Sequence, residues 1–281
     1  MRLPQGELAL GERTLVMGVL NVTPDSFSDQ GQYRDVDAAI QRARQIEAEG
    51  ADIIDLGGES TRPGSERIPA DEELRRVVPV LQGLRGQVTV PISIDTYKPE
   101  VAKAAIASGA SLINYVAMGP TAPMIEAAMK LNVPFIIMHI RGTPEVMHQL
   151  PPLADPTAHV AAELAQLRDS AVQAGVLAEH ILLDPGFGFG KNGEQNYELL
   201  ARLGRLHDLG RPLVVGTSRK SFIGKTLGLP AGERLWGTAA TVTAAILSGA
   251  HIVRVHDVAA MVQVARVADQ ILVHAPHAKM T

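Results

Sequence analysis

Eight short, almost continuously apolar runs punctuate this chain, each followed by a longer amphipathic stretch. The runs occupy residues 14–20, 51–56, 91–95, 111–116, 134–138, 180–184, 212–216 and 251–255. Strands with alternating apolar residues bury one face; runs apolar throughout are buried on both, as parallel strands under helices are. Helical spacing marks residues 35–49, 71–84, 99–108, 124–131, 156–173, 197–206, 235–247 and 258–272. Gly50, Gly109 and Gly249 stand where a helix would turn left-handed before the next strand. Eight strand–helix units predict an α/β fold closed into a (β/α)8 TIM barrel. An open doubly wound sheet is the alternative, but it gives no reason for the number eight.

The 281 residues fit one such barrel as a single domain, 1–281, and 46% hydrophobic residues supply its core. Residues 1–13 precede the first strand. There Leu8-Ala9-Leu10 suggests an N-terminal hairpin covering the barrel bottom. Absence of cysteine excludes disulfides, thiol catalysis and Cys-ligated zinc. A net charge of -4 with no basic stripe argues against a nucleic-acid partner. No signal-like run opens the chain, and residues 238–250 are too short and mixed to span a bilayer. The expectation is a cytoplasmic enzyme with no membrane partner.

Polar residues fall at the strand ends: Asn21, Asp55 with Glu59, Asp95, Asn114, His139, Asp184, Ser218 with Lys220, and Arg254 with His256. In a barrel these ends converge on one rim, where active sites of the fold lie. Helix capping accounts for an acid or two, but poorly for eight convergent positions. Asp95, Asn114 and Asp184 suit a flat, nitrogen-rich heterocycle, because a carboxylate can take parallel hydrogen bonds from a ring N–H and an exocyclic amine. Asn21, Arg254, His256 and the start of the helix after Lys220 suit an anion, the usual ligand of the loops after strands seven and eight. The connections at 21–34 and 57–70 are long for this fold and read as lids.

Other patterns fail on spacing. Gly186 to Lys191 lacks the dinucleotide-binding interval, and Gly224-Lys225-Thr226 lacks the glycine five residues upstream that a P-loop needs. The nine histidines show no clustered metal spacing; His148, His159, His207 and His274 read as surface residues. Lys220 follows its strand by four residues, which disfavours a Schiff-base lysine pointing from mid-strand.

These segments, taken together, resemble the dihydropteroate synthase family. Residues 17–29 (MGVLNVTPDSFSD) resemble its first signature and residues 55–64 (DLGGESTRPG) its second. Ser93-Ile94-Asp95-Thr96, Met138-His139, residues 184–191 (DPGFGFGK), Ser218-Arg219-Lys220-Ser221 and Arg254-Val255-His256-Asp257 follow in order, so the resemblance spans residues 14 to 272. It implies a transferase of alkyl or aryl groups in folate biosynthesis. Such an enzyme joins 6-hydroxymethyl-7,8-dihydropterin pyrophosphate to 4-aminobenzoate by an SN1-like step that uses Mg2+. By the family pattern Asp95, Asn114, Met138, Asp184, Gly216, Lys220 and Arg254 hold the pterin. Phe27, Arg62, Pro63, Phe189, Lys220 and Ser221 shape the aminobenzoate pocket. Asn21, Ser60, Thr61, Arg254 and His256 take the pyrophosphate, Asn21 also being the Mg2+ ligand. Catalysis falls to Asp29, Lys220, Asp95 and Asp184. Sulfonamides, which share the aniline end of 4-aminobenzoate, are expected to compete, and a homodimer is implied, with the apolar helix at 238–247 as its face or else as buried core.

Two positions depart from the pattern. Gln30 replaces a frequent glycine, which stiffens the first lid slightly. The family usually has aspartate after the asparagine of the fourth strand, where this chain has Tyr115. Strand alternation puts Tyr115 on the side opposite Asn114. Beside an active synthase, this leaves a non-catalytic pterin-binding paralogue as the alternative, and a pterin-dependent methyltransferase barrel behind it.

Overall fold

The computed structural model describes residues 1–22, 32–59, 67–117, 119, 121–143, 146–147 and 149–274, without the side chains of residues 32–34. β1 (Arg2–Leu3) and β2 (Gly6–Glu7) form an antiparallel hairpin. The order continues β3 (Leu15–Asn21), α1 (Gln32–Ala48), β4 (Ile53–Gly57), α2 (Ala70–Leu84), β5 (Ile92–Asp95), α3 (Pro99–Ser108), β6 (Leu112–Tyr115), α4 (Ala122–Leu131), β7 (Phe135–Met138) and α5 (Pro156–Gln173). It ends with β8 (Ile181–Asp184), α6 (Gly193–Ala201), β9 (Val214–Val215), α7 (Ser221–Leu227), α8 (Leu235–Leu247), β10 (Ile252–Val255) and α9 (Val258–Val273).

The eight strands from β3 onward pair in parallel in the order β8-β7-β6-β5-β4-β3-β10-β9. A bridge between Leu183 and Leu213 joins the two outer strands and closes the ring. Every strand residue has its side chain on one of two faces, and both faces are buried, hence the unbroken apolar runs. Val16, Leu20, Ile54, Leu56, Ile113, Ile137, Leu183 and Val253 point outward into the layer between strands and helices. Leu15, Met17, Ile53, Leu112, Ile136, Leu182, Val214 and Ile252 point inward and form a separate core within the ring.

Period-two geometry then dictates what stands above that inner core. Two residues beyond Ile53, Leu112, Ile136, Leu182, Val214 and Ile252 come Asp55, Asn114, Met138, Asp184, Gly216 and Arg254. The barrel therefore changes from dry to polar within one layer of side chains. From below, Leu8 completes the inner core, with Met1, Leu3 and Leu10 packed against it. The hairpin itself is residues 2–7, with Leu8 N donating to Met1 O at 2.9 Å, so Leu8 and Leu10 are the stopper that follows it rather than its strands.

Gly109 ends α3 with φ 120°, and Gly50 and Gly249 likewise have positive φ, as their positions before strands require. The sixth helix differs from the spacing. It starts at Gly193, because Asn192 and Gln195 form a reciprocal capping box, and ends at Ala201; residues 203–209 continue as a 3-10 helix. The short helix α7 is an additional element.

Candidate active site

The inward residues at the upper strand ends meet in one cleft of about 380 Å3, open to solvent. Its lining includes Asp95, Asn114, Met138, Asp184, Gly216, Lys220 and Arg254, with Val116, Gly186, Phe187 and Phe189. All seven residues expected to hold a heterocycle are therefore brought together.

Arg254 organises the floor. Its Nε donates to Asp55 Oδ2 at 2.6 Å and its Nη2 to Asp95 Oδ2 at 2.8 Å. Asn114 Nδ2 donates to the same Asp55 oxygen at 3.0 Å. Burial works against the guanidinium charge, but Asp55 and Asp95 together hold its pKa above the ordinary value. Burial lifts the Asp95 pKa to about 7 against the pull of Arg254. Burial also raises that of Asp184, whose Oδ1 accepts from Gly186 N at 2.7 Å, leaving its other oxygen for a ligand. Two carboxylates of raised pKa and one amide thus face one cavity.

Lys220 closes the opposite side. Its Nζ lies 4.0 Å from the centre of the Phe189 ring, a cation–π contact. Burial, with Arg254 nearby, lowers its pKa to about 8. The preceding residue, Arg219, has φ 58°, a left-handed conformation uncommon for any residue but glycine. Arg219 N donates to Thr238 Oγ1 at 3.0 Å and its guanidinium pairs with Asp257 through Nε at 2.9 Å, so both ends of the residue are held. That held turn aims Lys220 into the cleft.

The loop after β8 is fixed just as firmly. Gly186, at φ 65°, backs onto strand β7 so closely that a Cβ there would lie 1.8 Å from His139 O. Lys191 Nζ donates to Gly186 O at 2.8 Å and Phe189 O at 3.0 Å. From α6, Asn196 accepts from Gly188 N at 2.7 Å. The phenylalanines of the loop are thereby presented to the cleft.

On the rim, Asn21 ends β3, with its Oδ1 3.4 Å from the space a Cβ on Gly57 would fill. His256 Nδ1 lies 3.0 Å from Ser218 Oγ. Burial, then the cations Arg254 and Arg219, depress its pKa to about 3, so it is a neutral hydrogen-bond donor rather than a positive charge. Ser221 opens α7 beside Lys220. Glu59 turns away from the cleft. Its carboxylate pairs with Lys98, which also reaches Glu73 at 2.5 Å, and Tyr97 OH donates to it at 3.1 Å. Phe27, Asp29, Gln30, Ser60, Thr61, Arg62 and Pro63, with the two lid expectations that contain them, lie outside the described residues.

Asp55 is the residue that sequence reasoning undervalued. It appears among the strand-end acids, but nothing in the spacing shows that Arg254, 199 residues later, needs it. Gly186 and Phe187 were likewise within the legible 184–191 segment. Tyr115 faces outward as strand alternation requires. Its hydroxyl donates to Gly119 O at 2.8 Å and its ring meets Phe135 edge-on at 5.9 Å.

A closed barrel whose upper mouth presents paired acids, an amide and a buried lysine to a flat ring defines the class of pterin-binding barrel enzymes. A family model described as "Pterin binding enzyme" matches residues 17–256. Dihydropteroate synthase of Synechocystis is 49% identical over 271 residues, covering 95% of this chain and 94% of its own length. The Clostridium difficile dihydropteroate synthase solved in the presence of pteroic acid superposes with TM-score 0.88 at 45% identity, covering 94% of this chain and 99% of that one. The Yersinia pestis enzyme in a sulfonamide complex superposes with TM-score 0.91 at 40% identity, covering 98% and 99%. The chain belongs to the dihydropteroate synthase family.

Proposed function

We propose that the cleft joins 6-hydroxymethyl-7,8-dihydropterin pyrophosphate to 4-aminobenzoate, releasing pyrophosphate and 7,8-dihydropteroate. The observation that carries this reading is the convergence of Asp95, Asn114, Met138, Asp184, Gly216, Lys220 and Arg254 on one cavity. Asp95 and Asp184 accept the ring and amine N–H groups, Asn114 adds a matching amide, and Lys220 donates to a ring acceptor. Met138 and the bare face of Gly216 leave room for the ring plane.

Reaction begins as the carbon–oxygen bond to the pyrophosphate breaks, leaving positive charge spread over the pterin and its exocyclic carbon. Asp95 and Asp184 stabilise that charge, more strongly for being buried. The amine of 4-aminobenzoate then attacks the carbon and loses a proton to solvent. Its low basicity makes a dedicated base unnecessary. Phe189, beside Lys220 and Ser221, borders the aminobenzoate, and by the family pattern Phe27, Arg62 and Pro63 contact the same substrate. Arg254 and the neutral imidazole of His256 donate to pyrophosphate oxygens; by the family pattern Ser60 and Thr61 join them and Asp29 takes part in catalysis. The amide oxygen of Asn21 is a hard donor of the kind Mg2+ accepts alongside substrate phosphates and water. There Mg2+, when bound, would neutralise the departing pyrophosphate.

A homodimer and a cytoplasmic location complete the proposal. Trp236 on α8 and Val267 and Val273 on α9 are 81%, 63% and 75% exposed, an apolar surface that a second copy would cover. Among the described residues no helix is long and apolar enough to cross a membrane. The test is pyrophosphate release by the purified protein with Mg2+ and both substrates. Release is expected only with 4-aminobenzoate present; release indifferent to it, or none, rejects the proposal.

A further inference from the structure

Outside the cleft, three side chains converge where β7 meets α5. His139 follows directly on β7, and its side chain is wholly buried. His159 and Glu163 lie four residues apart on α5 and so share a face. His139 Nε2 lies 3.0 Å from Glu163 Oε2, and His159 Nε2 lies 2.9 Å from Glu163 Oε1. One ligating atom from each residue falls within 4.8 Å of the other two.

Two imidazoles donating to a shared carboxylate would be the simplest account of such distances. The directions do not fit it. Neither imidazole points an N–H along a hydrogen bond to Glu163, and both ring nitrogens of His139 and Nε2 of His159 are buried without a hydrogen-bond partner. Unpaired buried nitrogens cost free energy, whereas ring nitrogens gathered within 4.8 Å of a carboxylate oxygen form a group that a metal ion can use. The nearby cations are engaged elsewhere: Lys191 with Gly186 O and Phe189 O, and Arg141 with Pro151 O at 3.0 Å.

We propose that His139, His159 and Glu163 bind a divalent transition-metal ion of the zinc type. Two imidazole nitrogens and one carboxylate oxygen form a zinc donor set with a fourth position left open, and cobalt and nickel accept the same donors. Mg2+ prefers oxygen donors throughout, so this ion is distinct from the one assigned to Asn21. Its role is a brace. His139 N donates to Asp184 O at 2.8 Å, and Gly186 packs on His139 O. An ion tying His139 to α5 therefore steadies the strand ends that carry Met138 and Asp184.

The test uses untagged, chelator-stripped full-length protein titrated with Zn2+ in a calorimeter and with Co2+ by visible absorption. One equivalent should bind, with Co2+ giving the intense bands of a tetrahedral N/O site. His159→Ala and Glu163→Gln replace partly exposed residues, so the fold should persist, as the melting temperature without metal will verify. Each should weaken Zn2+ at least about tenfold and abolish the Co2+ bands, while His274→Ala changes neither. Zn2+ should raise the melting temperature of the parent protein and leave that of the two variants unmoved. Absence of binding in the parent protein, or equal affinity and equal thermal shift in both variants, overturns the proposal.

Discussion

Asp55 and Arg254 come from strands two apart in the ring, β4 and β10, yet Arg254 Nε reaches Asp55 Oδ2 at 2.6 Å beneath the cleft. Asp55 is fully buried, and its Oδ1 has no hydrogen-bond partner. Removing one member of a buried pair costs about 3–5 kcal/mol where the other charge is left unpaired; Arg254 keeps Asp95, so the cost here is smaller. Asp55→Ala should lower the melting temperature and weaken pterin binding, since Arg254 loses one of its two carboxylates and Asn114 its acceptor. A variant as stable as the parent in calorimetry would show that the pair contributes little.

Asp95→Ala and Asp184→Ala should each weaken a pterin ligand by at least about 30-fold, because a buried charged acceptor facing N–H donors is worth roughly 2–5 kcal/mol. Calorimetric titration with a non-reactive pterin is the measurement. Unchanged affinity in both variants would remove the ring-binding site from this cleft.

The pH dependence follows from two groups. The ordinary carboxylate value is 3.8, but Asp95 ionises only at about 7. A pterin donating N–H groups prefers the ionised acid, so its affinity should climb as pH rises toward 7 and then level off. Lys220 loses its proton at about 8 rather than 10.5, so affinity should decline again above 8. Stability shifts through the same groups. Between about pH 4 and 7 the folded protein keeps a proton on Asp95 that the unfolded chain has released, so this group's contribution falls as pH rises. Between about 8 and 10.5 the unfolded chain holds the Lys220 proton that the folded protein has lost, and that contribution rises. A pterin dissociation constant flat from pH 5 to 10 would contradict this.

Lys220→Ala should raise KM for both substrates. The side chain lines the pterin cleft and also packs its ammonium on Phe189, a contact worth about 0.5–2 kcal/mol. Sulfonamides should compete with 4-aminobenzoate, since they offer the same aniline to the Phe189 wall. Purely non-competitive kinetics would place them elsewhere.

Tyr115 is one departure from the family pattern, and its surroundings decide what restoring aspartate would do. An aspartate there would be buried against Phe135, without the hydroxyl's bond to Gly119 O. Tyr115→Asp should thus destabilise the protein without improving pterin affinity, while Tyr115→Phe should cost only about 1 kcal/mol. Gain of activity in Tyr115→Asp would revive the non-catalytic alternative.

Much of this architecture is legible in the chain because parallel strands buried on both faces leave a simple mark: unbroken apolar runs ending in a polar residue. Asp95, Asn114, Asp184 and Arg254, at four of those ends, meet in the cleft, whereas His139 turns away from it toward α5. Contacts made across the ring leave no such mark. Asp55 is one acid among several until Arg254 is seen against it, and Glu59 resembles a rim acid until Lys98 draws it aside. His139 and His159 are separated by a whole loop, so no ligand spacing betrays them. The early start of α6 rests on a reciprocal cap between Asn192 and Gln195, a local bond that overrides apolar periodicity.

Leu8 and the apolar layer above it seal one end of the ring, leaving a vessel with a single mouth. Whatever reaches the bottom must arrive before its companion and cannot leave past it. On the proposed function the bicyclic substrate, held deepest, would load first and the aromatic amine second, an order that product-inhibition kinetics would reveal.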